Sequence, residues 1–156
     1  MNKPDPFQYL HANKECAFEL FALVSRLDFA LIRCRFRQKG RPVYADWNSF
    51  AESVASHLCK SDDAQVKAAI EYLYTEPPQK LSVRGGRIDW VASSVASTSP
   101  GAWAVKAAHQ VRNNLFHGVK GYDQKRNDRL INAALIVLYE CLKVDSGVLR
   151  AFNSPP

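Results

Sequence analysis

Two side chains suited to phosphate chemistry, Arg112 and His117, lie near the end of a strongly helical segment. An arginine fork binds phosphate oxygens through paired hydrogen bonds and stays protonated at any working pH. A histidine can take or give a proton near neutrality. The neighbouring Asn113 can donate to a phosphate or orient the imidazole. These residue types together suit the cleavage of a phosphodiester bond.

The spacing of Arg112 and His117 requires a change of backbone direction before both side chains can reach one place. Residues five apart on a straight helix point about 140° away from each other. Gly118 follows at once, and a glycine stop lets the last turn unwind and swing His117 back. Asn113 and His117 are four apart, so these two can meet directly. The bare R-x-x-x-x-H pattern often arises by chance, so the interpretation depends on its position at the end of a helix.

The predicted reaction needs no metal ion, because no cluster of carboxylates accompanies Arg112 and His117. The 2′-OH of RNA attacks the adjacent phosphate and leaves a 2′,3′-cyclic phosphate, which excludes DNA as a substrate. The cysteines form no C-x-x-C pair and have no histidine at zinc-finger spacing, so neither a metal nor another cofactor is expected. They are interpreted as reduced, half-buried residues: Cys16, Cys34, Cys59 and Cys141.

Apolar residues recur at spacings of three and four along most of the chain, as in helices that bury one face. Helices are predicted over about 13–38, 46–59, 62–74, 102–116 and 124–143. Phe21 is predicted to lie on the buried stripe of the first helix. Ser61 or Asp62 is the predicted N-cap of the third helix, and Asp123 that of the fifth. The expected fold is an all-α, up-and-down bundle of about five helices.

A long irregular segment, 76–100, precedes the fourth predicted helix. It contains Gly85, Gly86 and a cluster of serines, and the proline pair at 77–78 ends the third helix before it. We expect a functional loop here, with a short helix at about 89–96 as an option and no strand. The whole chain, 1–156, is predicted to form one domain with loose tails at 1–12 and 145–156.

The net charge of +6 over 156 residues favours an anionic partner such as nucleic acid. Basic residues cluster over 33–41 and again after the Arg112 segment. In the second cluster Lys120, Lys125 and Arg126 are the candidate RNA contacts, and a solvated helix face is the alternative for both clusters. No apolar run approaches the roughly 20 residues of a membrane span, so no membrane partner and a cytoplasmic location are expected.

The R-N-x-x-x-H order of Arg112, Asn113 and His117 resembles the signature of the HEPN superfamily (higher eukaryotes and prokaryotes nucleotide-binding domains). The run V-R-N-N-L-F-H-G-V-K at 111–120 is its most specific part. Further stretches resemble a plasmid- and defence-associated subgroup of this superfamily, so the resemblance touches most of the chain. They are V-S-R-L-D-F-A-L at 24–31, Y-L-Y-T-E-P-P at 72–78 and R-N-D-R-L at 126–130.

This resemblance implies a homodimer in which both R-N-x-x-x-H segments face each other across a composite cleft. It implies that Arg112 and His117 are catalytic and that Asn113 supports them, with Asn114 beside it. Asp28 is the candidate acidic residue that contacts Arg112, since a buried carboxylate needs a cationic partner. The implied activity is that of an endoribonuclease in a toxin or phage-defence system, with a possible antitoxin or regulatory partner.

Less specific interpretations of the same residues stay open. His117 could be a helix C-cap that the helix dipole favours, and Arg112 a structural ion-pair residue. His109 is interpreted as a partly buried or surface histidine, and the tryptophans as core or dimer contacts. The alternative functions are a non-catalytic HEPN module that binds RNA or nucleotide, and a dimeric interaction protein.

Overall fold

The computed structural model describes residues 5, 8, 10–40, 42–93, 99–116 and 123–155. Within these ranges the chain forms six helices and one two-stranded sheet, so the expectation of a mainly helical fold is confirmed. None of the described helices is long and apolar enough to cross a membrane. The elements are α1 (Lys14–Arg33), α2 (Trp47–Lys60), α3 (Ala64–Thr75), β1 (Lys80–Arg84), β2 (Arg87–Val91), α4 (Pro100–Phe116), α5 (Gln124–Cys141) and α6 (Ser146–Asn153).

The N-termini of the helices begin where short polar side chains can accept backbone N–H groups. Asp123 caps α5 as predicted, because its carboxylate accepts from the Arg126 N–H at 3.0 Å. The predicted cap of α3 is wrong by one residue. Asp63, rather than Ser61 or Asp62, accepts the first free N–H groups of α3.

The core lies around α4, which contacts α1, α2, α3 and α5. Gly101 allows its first turn to approach α2 closely, because a Cβ there would lie 2.6 Å from the Ala55 carbonyl oxygen. The apolar stripes of α1 to α5 are mostly buried as the spacing predicts. Phe21 is a correction, since its side chain is 40% exposed at the edge of α1.

The segment expected to be a loop contains an antiparallel hairpin, so the prediction of no strand here is wrong. Strands β1 and β2 pair in the register Leu81 with Trp90 and Val83 with Ile88. Gly85 and Gly86 both have positive φ, 55° and 77°, which is the backbone that a two-residue hairpin turn requires. The possible helix at 89–96 is also wrong over 89–91, which belong to β2.

The C-terminal segment is held more firmly than the loose tail expected at 145–156. Residues 146–153 form α6, which packs against α1, and Arg26 of α1 donates to the carbonyl oxygen of Ser154 at 2.6 Å. Near the N-terminus, Asn127 of α5 donates to the His11 carbonyl at 3.0 Å. The Asn13 N–H donates to Asp128 at 2.7 Å. These two bonds attach residues 11–13 to α5.

Candidate active site on helix α4

Arg112 lies near the C-terminal end of α4 in a half-buried position against α1. Its guanidinium carbon is 5.4 Å from the centroid of the Phe21 ring. Its Nη1 donates to the side-chain oxygen of Asn113 at 3.2 Å. A cation over an aromatic face gains about 0.5–1 kcal/mol at exposed sites. The partial exposure of Phe21 therefore has a reason, because the ring flanks the guanidinium at the edge of the core.

His109 lies one helical turn before Arg112 and stacks on Trp47, the first residue of α2. The two rings are nearly parallel, 15° apart, with centroids separated by 4.5 Å. The indole Nε1 of Trp47 donates to Asp28 of α1 at 2.7 Å. Three helices therefore meet in one polar cluster, which we call the α4 cluster: Asp28, Trp47, His109 and Arg112.

The electrostatics of the α4 cluster act on His109. Burial lowers the pKa of His109 below its ordinary value, the charge of Asp28 raises it, and the charge of Arg112 lowers it further. Because the net direction is downward, the imidazole is neutral at neutral pH. A neutral imidazole can accept a proton or a hydrogen bond beside the permanently charged guanidinium.

The predicted contact between Asp28 and Arg112 is replaced by a different arrangement. Asp28 accepts from the Trp47 indole, and Arg112 contacts the Phe21 ring and the Asn113 amide. Trp47 supplies the hydrogen bond that the half-buried carboxylate of Asp28 needs. Both charges still act on His109, and they shift its pKa in opposite directions.

The other predicted site residues divide into two groups. Asn114 is buried and donates to the Gln79 carbonyl at 2.7 Å, so it fixes the chain entering β1 to α4. The Arg126 guanidinium donates to the Pro77 carbonyl at 3.0 Å, whereas Lys125 is exposed. The structure therefore gives Asn114 and Arg126 scaffold contacts. His117 and Lys120 lie outside the described residues.

Trp47 and His109 are the members of the α4 cluster that the sequence interpretation did not assign to the site. His109 has a usable signal, because it lies three residues before Arg112 and four before Asn113 and so shares their side of α4. Trp47 has none, since it comes from another helix and reaches the cluster only through the fold. Its burial, 8% exposed, agrees with the expected core role, while its indole N–H also holds Asp28.

A cavity of about 310 Å³ adjoins the α4 cluster, because Trp47 and His109 form part of its lining. Its lining includes the rings of Trp47, Trp103 and His109 together with Lys80 and Gln110. Pockets for small ligands start at about this size and combine apolar walls with a few polar groups. In the described ranges, no three His, Cys, Asp or Glu side chains gather into a group that could hold a metal ion.

The arrangement can bind an anion next to a group that exchanges protons, which is the requirement of phosphate chemistry. Comparison of the chain with protein-family models found no match, and neither did searches of curated proteins and of solved structures. Function is therefore inferred from the residues and their geometry.

Proposed function

We propose that this protein is a HEPN-type endoribonuclease that cuts RNA without a metal ion. The observation that carries the proposal is the placement of Arg112, half-buried between the Phe21 ring and the Asn113 amide at the end of α4. A guanidinium oriented by its neighbours is suited to binding a phosphate with little reorganisation. The resemblance of the R-N-x-x-x-H segment to the HEPN signature gives the same assignment.

In the proposed reaction the 2′-OH of RNA attacks the adjacent phosphorus. The bond from phosphorus to the 5′ oxygen of the next nucleotide breaks, and a 2′,3′-cyclic phosphate remains. Arg112 stabilises the negative charge of the phosphorane, and Asn113 orients its guanidinium. His117 is the general base that takes the 2′-OH proton or the general acid that protonates the leaving oxygen.

The proposal includes a homodimer that places two such segments across one cleft, with the second copy supplying the other proton-transfer group. It also includes a role in the cytoplasm as a toxin or phage-defence effector, alongside a neutralising partner. These parts follow from the resemblance and would be tested separately by sedimentation and by expression in cells.

The direct test of the assignment replaces His117 with alanine. General acid–base catalysis contributes about 10²–10⁴-fold in rate, so H117A should lose at least that much RNA cleavage while its circular dichroism is unchanged. H11N is the matched control. It also removes a histidine, and asparagine tolerates the positive φ of 45° at that position. Equal cleavage by H117A and H11N would contradict the assignment.

A further inference from the structure

The hairpin has one apolar face and one basic face. Directly opposite residues of an antiparallel pair lie on the same side, so Leu81, Val83, Ile88 and Trp90 form one face. Val83 and Ile88 are 68% and 71% exposed. Exposed apolar side chains that form a contiguous patch usually mark a binding surface. The opposite face carries Lys80, Arg84 and Arg87.

A groove of about 400 Å³ runs between this apolar face and α4. Its lining includes Leu81, Val83, Ile88 and Asn114. Lys80 and Gln110 line both this groove and the cavity beside His109, so the two spaces adjoin. We call the joined space the hairpin groove.

The hairpin groove leads round α4 from the candidate active site. With about 100° between successive helix residues, Arg112, His109, Asn113, Gln110 and Asn114 follow one another in steps of about 40–60° around the helix. A strand held at Arg112 can therefore continue past His109 and Gln110 to the hairpin.

The charge of the hairpin favours a polyanion as the occupant. Lys80, Arg84 and Arg87 are exposed, and Asp89 is the single acidic residue of the two strands. In the described part of the chain, no carboxylate lies within ion-pair distance of any of these three cations. Grooves for single-stranded nucleic acid combine cations that follow the phosphates with apolar or aromatic surfaces for the bases.

We propose that the hairpin groove binds the single-stranded RNA that flanks the cut, which rests on the proposed function. The apolar face of the hairpin contacts the bases. Arg84 and Arg87 lie on the other face but directly flank the two-glycine turn, so they contact the phosphates where the strand leaves the groove around the tip of the hairpin. The hairpin then decides where along an RNA the enzyme is placed. A duplex does not fit this mode, because its bases are stacked inside the helix and unavailable to the apolar face.

The test measures binding of a fluorescent, uncleavable 2′-O-methyl oligouridine of about 12 nucleotides by anisotropy over a range of salt concentrations. R84Q/R87Q should weaken binding about tenfold at low salt. Each phosphate contact to a single strand contributes about 0.7 to the slope of log K against log salt, so the slope should fall by about 1.4. K60Q/R150Q removes the same charge from exposed positions on α2 and α6, outside the hairpin, and should leave the slope near the wild-type value.

A second variant separates base contacts from charge. V83S/I88S should weaken binding about tenfold with no change in the salt slope, because no cation is removed. Both side chains are largely exposed, so circular dichroism and the unfolding midpoint should stay at wild-type values.

The groove assignment would be overturned if wild-type protein bound no RNA, or if R84Q/R87Q bound RNA as well as K60Q/R150Q does. It would also be overturned if V83S/I88S dissociated a dimer and still bound RNA normally. The last result would mean that the apolar face packs on a second copy. Failure of the proposed function is distinguishable, because the groove would still bind RNA in a salt-dependent manner while no cyclic phosphate formed. In that case the groove assignment stands.

Discussion

Two histidine clusters in this molecule use similar residue types in different ways. In the α4 cluster, His109 stacks on Trp47, and Asp28 accepts from the neutral indole. In the second cluster, which we call the Glu140 cluster, the buried carboxylate of Glu140 lies 3.0 Å from Nε2 of His57 and 2.6 Å from Nζ of Lys143.

The difference concerns how each charge is compensated. Glu140 meets two basic groups directly, and the hydrogen bond from Lys143 together with that of His57 lowers its pKa despite burial. In the α4 cluster, the described contacts of Asp28 and Arg112 are with an indole, a phenyl ring and an amide, and both charges act electrostatically on His109. The first arrangement suits stability, and the second places a guanidinium beside a neutral imidazole. Variants should therefore separate activity from stability.

The largest expected effect is that of R112A on cleavage. Losing one preorganised group that stabilises an oxyanion lowers kcat by about 10²–10³-fold, whereas losing its contact with Phe21 costs about 1 kcal/mol of stability or less. R112K keeps the charge but not the forked geometry of the guanidinium, so its kcat should lie between those of R112A and the wild type. RNA cleavage rates and denaturant unfolding of the same samples would measure both quantities. Full activity in R112A would contradict the assignment of the α4 cluster to catalysis.

The next effect is that of N114A on the hairpin. The Asn114 side chain donates to the Gln79 carbonyl and accepts from Gln110 at 2.7 Å, so its loss leaves buried polar groups unpaired. The expected destabilisation is about 1–3 kcal/mol. Hydrogen exchange should rise most over 79–93, where the hairpin loses its attachment to α4. Uniformly faster exchange across all helices would contradict a local role.

E140Q should lower stability and leave RNA cleavage unchanged, which is the opposite of the pattern expected for R112A. The variant loses the charge that His57 and Lys143 share, and because both partners are substantially exposed, the loss of stability should be only about 1–2 kcal/mol. RNA cleavage at 25 °C should stay at the wild-type level. A cleavage defect larger than that of N114A would show that the two clusters are not separate.

Acid should weaken the wild type through the same carboxylate. The folded pKa of Glu140 lies below its unfolded value of about 4.3, so the unfolded state binds more protons in this range and stability falls as the pH drops. The contribution is complete above about pH 4.3 and is lost as the pH falls through the folded pKa. The unfolding free energies of wild type and E140Q should therefore converge below that pH. A constant difference down to pH 2 would refute this assignment.

The smallest expected effect is a change in the titration of His109. The positive charge of Arg112 lowers the pKa of His109 and the negative charge of Asp28 raises it. NMR titration of the imidazole should give a pKa below the ordinary value of about 6.5, higher in R112Q and lower in D28N. Unchanged values in both variants would mean that these charges do not reach the ring.

The sequence predicts helices α1 to α5 to within a few residues at most ends, because each buries an apolar stripe at helical spacing. It does not predict the hairpin, since the strands have five residues each and Val83 and Ile88 are exposed. The glycine pair at 85–86 indicates a hairpin turn, but together with the nearby serines it is interpreted from the sequence alone as part of a long loop. Helix α6 is missed because Val148 is its one buried residue, although Asp145 is a good N-cap.

Arg112 and Asn113 can be chosen from the sequence because they are adjacent on one helix and have suitable chemistry. The roles of Trp47 and Asp28 depend on how α1 and α2 cross α4, which no local pattern encodes. Asn114 illustrates the opposite case, since its position beside Arg112 suggests chemistry while the fold uses it to hold the chain before β1. Adjacent residues on a helix point in different directions, so nearness in sequence is weak evidence for a shared site.

The most direct test of the central claim is to identify the ends of the RNA after incubation with wild type and R112A. Wild-type protein should leave a 2′,3′-cyclic phosphate, detected by mass spectrometry, and a single 2′-deoxy substitution at the cut position should prevent cleavage there. R112A should leave the RNA intact. Wild-type cleavage that ignores the 2′-deoxy substitution, or no cleavage under any condition in which the protein binds RNA, would contradict the claim.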